Sequence, residues 1–132
     1  MKIRAGFGLW VIVCLLCVVC SEEPAGSKNT SQSKLSGRWI GSTSSNSLDL
    51  QIAEDAGRIT GSLQWVKITP SGEFDYQLNV MGNFDDPSVQ MEFSGSNLSM
   101  SYSGMLSSDS KTIDGIFVDD FDIEDQIILS KQ

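Results

Sequence analysis

The chain contains no histidine, and its three cysteines, Cys14, Cys17 and Cys20, all fall within the first twenty residues. Once such a leader is removed, no thiol and no imidazole is left. That excludes zinc sites built on Cys or His, Cys-His and Ser-His nucleophilic catalysis, and a disulfide framework. Basic residues are scarce as well. Beyond Lys2 and Arg4 the chain carries seven Lys or Arg against 17 Asp or Glu, a net charge near −10. A surface of that sign repels phosphate backbones and anionic lipid headgroups, so nucleic acid is not an expected partner. Past Cys20 there is no long apolar run, and no segment shows helical periodicity.

What is present begins with a leader. Lys2 and Arg4 precede a mostly apolar run from Ala5 to Cys20, and polar Ser21-Glu22-Glu23-Pro24 follows. This is the anatomy of an export signal, and its apolar run of about 16 residues is shorter than a spanning helix needs. The expected organisation is a signal over 1–20, a flexible tether over 21–34 and one domain over 35–132. The tether is Ser, Glu, Pro, Gly, Lys, Asn, Thr and Gln with a single apolar side chain, Ala25, which is too little to offset its ordering entropy. An apolar run ending in Cys20 resembles a bacterial lipoprotein signal, which implies lipidation of Cys20. Val19 stands where that motif has a small residue. Cleavage by ordinary signal peptidase, with Val18 and Cys20 or Val19 and Ser21 at the recognition positions, is the alternative. The protein is expected outside the cytoplasm, periplasmic or secreted, and attached to a membrane only through its N-terminus if lipidated or uncleaved.

The domain is patterned two by two. Leu35, Gly37, Trp39 and Gly41 share one face of an extended chain; Leu48, Leu50 and Ile52 share another, as do Ile59, Gly61, Leu63 and Trp65. The alternation continues through Phe74, Tyr76, Leu78, Val80, Gly82 and Phe84, then Val89, Met91 and Phe93, then Leu98, Met100, Tyr102, Gly104 and Leu106, then Ile113, Gly115 and Phe117. The last strand, roughly 123–131, is the least regular. Turn chemistry separates the runs, as at Thr69-Pro70-Ser71-Gly72 and Asp85-Asp86-Pro87. About eight short strands with one apolar face predict an all-β fold, an eight-stranded antiparallel up-and-down barrel, since closure removes exposed edges. A flattened sandwich is the alternative. Glycines in phase with the inward residues mark places where strands coil sharply or backbones approach closely.

The opening Gly37-Arg38-Trp39, with its first hairpin running to Thr60-Gly61, resembles the calycin barrels, the lipocalins and avidin-type proteins. In lipocalins the Gly-x-Trp tryptophan closes the barrel floor beneath an Arg from the last strand. That resemblance gives Gly37 and Trp39 a structural role and makes Lys131 the counterpart of the Arg. Gly41 and Leu63 stand where avidin-type proteins place polar biotin contacts, so biotin binding does not carry over. Leu35-Ser36-Gly37-Arg38-Trp39 is also similar to the barrel start of exported bacterial metalloprotease inhibitors.

Two functional readings follow, neither of them enzymatic. An eight-stranded barrel is just wide enough to be filled by side chains or to hold one small ligand. In the first reading it takes up a small apolar ligand, lined by Trp65, Tyr76 and Tyr102, each an apolar body with a polar tip. In the second it is a protein-interaction module of the cell envelope, such as a protease inhibitor. A filled interior beneath an apolar rim is the arrangement that favours the second. The acidic run Asp119–Asp125 lacks the spacing of a calcium loop and reads as solvated. No pair of carboxylates stands out for acid–base work, and no cofactor or metal is expected.

Overall fold

The computed structural model describes residues 33–132; the signal expected over 1–20, with Cys20, and most of the tether expected over 21–34 lie outside the described residues. Eight strands follow one another: β1 (Gly37–Ser42), β2 (Asn46–Asp55), β3 (Arg58–Thr69), β4 (Gly72–Asp85), β5 (Ser88–Gly95), β6 (Leu98–Leu106), β7 (Thr112–Val118) and β8 (Glu124–Lys131). Each pairs antiparallel with the next, and β1 meets β8 at Trp39↔Lys131 and Ile40↔Ser130, so the sheet closes into a barrel in up-and-down order. The barrel predicted from alternation is therefore the fold, and the sandwich is not.

Local chemistry sets the turns. Ala56 and Gly57, and likewise Ser96 and Asn97, have φ between 51° and 85°. Two successive left-handed residues make the turn whose twist matches that of the flanking strands. The inward phase then becomes the core: Trp39, Leu48, Leu50, Ile59, Leu63, Val89, Phe93, Tyr102, Ile113, Phe117, Ile127 and Leu129 have no accessible surface at all. A void able to admit water would expose its lining, so these side chains fill the space between the strands.

Glycine makes the tight closure possible. A Cβ on Gly82 would run into the carbonyl oxygen of Gln90 and lie 2.9 Å from Cα of Met91, both backbone atoms of β5. Gly61 meets Gln51 and Ile52 of β2 in the same way. Both are corners where neighbouring strands fold over one another.

The β8 pattern is irregular because its outward face carries Ile128, half exposed, beside inward Ile127 and Leu129. Periodicity alone leaves such a run ambiguous.

Candidate functional site

The two ends of the barrel differ. At the floor, where Ser33–Ser36 lead into β1, Leu35 is fully buried and its carbonyl accepts a 2.8 Å hydrogen bond from Nε1 of Trp39. The Lys131 ammonium lies 5.6 Å from the Trp39 ring centroid and donates to the Lys34 carbonyl at 2.9 Å. Lys34 pairs with Asp86 at 2.8 Å, while Ser33 donates to the Glu54 carboxylate, which accepts from the Gly57 amide at 2.7 Å. Gly37, Trp39 and Lys131 thus sit together at a floor sealed by the residues that precede β1.

The mouth, formed by the β1–β2, β3–β4, β5–β6 and β7–β8 connections, is built differently. Here the inward phase runs on beyond the core and turns polar. Asn46 stands two residues before Leu48, Lys67 two after Trp65, Asp119 two after Phe117 and Asp125 two before Ile127. These four residues meet. Trp65 Nε1 donates to Asn46 Oδ1 at 2.8 Å; Asn46 Nδ2 and Thr43 Oγ1 donate to Asp125 Oδ2 at 2.9 and 2.6 Å. Lys67 pairs with Asp119 at 3.0 Å, the carboxylate only 4% exposed, and its ammonium lies 4.9 Å from the Phe121 ring centroid and 5.7 Å from that of Trp65. Burial alone would raise the Asp119 pKa. The Ile123 and Phe121 amides at 3.1 and 2.8 Å and the Lys67 ammonium outweigh it and hold the carboxyl below its usual range.

Above this polar layer lies an apolar rim. Phe74 is 46%, Phe121 71% and Ile123 59% exposed. A cleft of about 270 Å³ runs between the β3–β4 tip and the β7–β8 loop, lined by Asn46, Lys67, Asp119, Ile123 and Asp125 among others. A separate open groove of about 560 Å³ lies on the outer face of β3 to β6, between Arg58, Met81, Gln90 and Glu92.

Of the residues expected to line a ligand pocket, Trp65 and Tyr76 come together at the mouth, stacked at 5.0 Å and 26°. Tyr102 lies deeper. Phe117, its partner in the β6–β7 register, sits 5.8 Å from Trp65. The Tyr102 hydroxyl lies within 3.0 Å of the Ile113 carbonyl and 2.7 Å of that of Ile127. Burial, helped by the Asp114 carboxylate, pushes its phenol well above the ordinary pKa. The polar tips of Trp65 and Tyr102 are thus engaged within the protein.

Asp119 and Asp125 differ from the solvated loop expected of the acidic run. They turn inward because Lys67 of β3, Asn46 of β2 and Thr43 of the β1–β2 connection supply donors. Extending each alternation by one step, past its last apolar residue, is the sequence signal that marks this polar layer. Among the described residues no three acids converge closely enough to hold a metal ion. No family model, no curated protein and no solved structure matches the chain.

Proposed function

We propose that the protein is an exported, non-enzymatic binding module on a calycin-type frame, and that it engages another macromolecule through the outer surface of its mouth. One observation carries this reading: the inward side chains of the core are buried, twelve of the strand residues with no accessible surface at all, while Phe74, Phe121 and Ile123 are exposed together at one rim. Large apolar groups gathered at one exposed end are characteristic of interaction sites. The polar layer supports it further, since the Asp119–Lys67 pair and the Phe121 and Ile123 amide bonds hold the β7–β8 loop in place, and an ordered loop costs less entropy on binding. The described chain begins at the floor, the end of the barrel opposite the mouth.

A photo-crosslinking residue at position 121 tests this in the cells that produce the protein, with position 109, an exposed loop site at the floor end, as its control. Adducts to a macromolecule from 121 and not from 109 are expected. Equal adducts from both, or a bound small molecule in native mass spectrometry with no adduct from 121, would overturn the reading.

A further inference from the structure

Among the described residues, one edge of the β3–β4 hairpin is left without a strand partner near the mouth. The β3–β4 hairpin is longer than its neighbours: β4 pairs with β3 down to Gly72, but its pairing with β5 ends at Asn79↔Ser94. The turn at Gly95 abuts Gln77 and Leu78, which shields the edge there. Residues 72–76 have no strand on that side among the described residues, and no further backbone–backbone hydrogen bond reaches them, although the Gly72 carbonyl accepts from Thr69 Oγ1 at 2.9 Å. In an antiparallel pair every second residue turns its N–H and C=O away from its partner, so this edge offers unpaired backbone groups.

Resting on the reading of the mouth as a contact surface, we infer that an extended segment of a partner protein, alternating apolar and basic residues, adds as a strand to β4 at 72–76. The pattern follows from the two faces of the edge. Phe74 and Tyr76 point to the mouth side; Glu73 and Asp75 point outward, and all but half-buried Tyr76 are exposed. An added strand presents alternate side chains to these two faces, apolar ones against the aromatics and charged ones against the acids. The sign is set by the surroundings. Glu73, Asp75, Asp119, Asp120, Asp122, Glu124 and Asp125 all lie at this end. The described cation here is Lys67, already neutralised by Asp119. Charged residues guard strand edges against self-pairing, and a second copy would bring its own Glu73 and Asp75 against the same pair. A basic segment meets attraction where a second copy meets repulsion.

The test uses the protein as isolated and two synthetic seven-residue probes, one alternating Lys and Val, the other Glu and Val. In the free protein the outward amides of 72–76 should exchange rapidly, and the Lys/Val peptide should protect them and shift their NMR resonances. Glu73→Lys with Asp75→Lys should weaken that binding about tenfold or more while leaving the unfolding midpoint within a few degrees, because both side chains are exposed. Raising the salt from 50 to 300 mM should weaken it several-fold. Protection of 72–76 in the free protein would overturn the inference, since the edge would then be covered by this chain or by a second copy. So would Lys/Val binding spread over the other acidic surfaces. Binding of the Glu/Val probe at the same edge would sink the inference and leave the mouth standing as a contact surface. Failure of both probes together with no adduct from position 121 would remove both.

Discussion

Replacing Lys67 with Met tests whether the polar layer holds the mouth together. The substitution keeps the aliphatic stem and removes the ammonium 3.0 Å from Asp119, leaving a carboxylate only 4% exposed with two amide donors but no cation. Exposed ion pairs contribute about 0–1 kcal/mol, whereas breaking a buried one costs about 3–5 kcal/mol. Lys67 is 23% exposed and the two amide bonds survive, so the cost should lie between these limits. Lost cation–π attraction to Phe121 adds about 0.5 kcal/mol. The sum is about 2 kcal/mol, or about 10 °C in the unfolding midpoint of a domain of roughly 100 residues. Urea titration followed by tryptophan fluorescence reads it, because Trp65 lies directly beneath. Asp119→Asn and the double variant complete a mutant cycle, in which a coupling of at least 1 kcal/mol is expected. A loss under 0.5 kcal/mol, or costs that simply add, would refute the reasoning: the pair would then be a surface contact and the loop held by its amides alone.

Three further outcomes follow from the same geometry. Acid should loosen the mouth: with the Asp119 pKa held low in the folded state, the unfolded chain binds the extra proton first. Stability should therefore be flat above the ordinary carboxylate range and fall as pH drops below about 4, with Phe121 and Ile123 amide resonances broadening first. Gly82→Ala should cost about 3 kcal/mol or more by thermal denaturation, since its methyl group meets β5 backbone that cannot rotate away. Trp39→Phe should cost about 2–4 kcal/mol in the same assay, combining lost volume with a buried Leu35 carbonyl left without its donor.

Alternation made the fold legible because burial on one side of a strand repeats every second residue, and that spacing survives in the chain itself. Trp39, Leu63, Phe93 and Phe117 could be placed inside before any strand was paired. Gly82 and Gly61 were legible as structural for a related reason, in that a strand interior tolerates glycine only where backbones come close. The exposure of Phe74 was not legible. Its phase matches that of buried Leu78, but β4 outruns β5, so the same side of the strand is core at one level and open rim at another.

The sequence by itself determined an all-β domain with its apolar residues on one face and no thiol or imidazole beyond Cys20. Tertiary structure alone decided that Lys67 meets Asp119 across 52 positions and that Tyr102 spends its hydroxyl on Ile113 and Ile127. It alone decided that, among the described residues, 72–76 have a strand on one side only. The physical reason is that periodicity assigns a side chain to a face, whereas contact depends on strand length and register, which are set when the sheet closes.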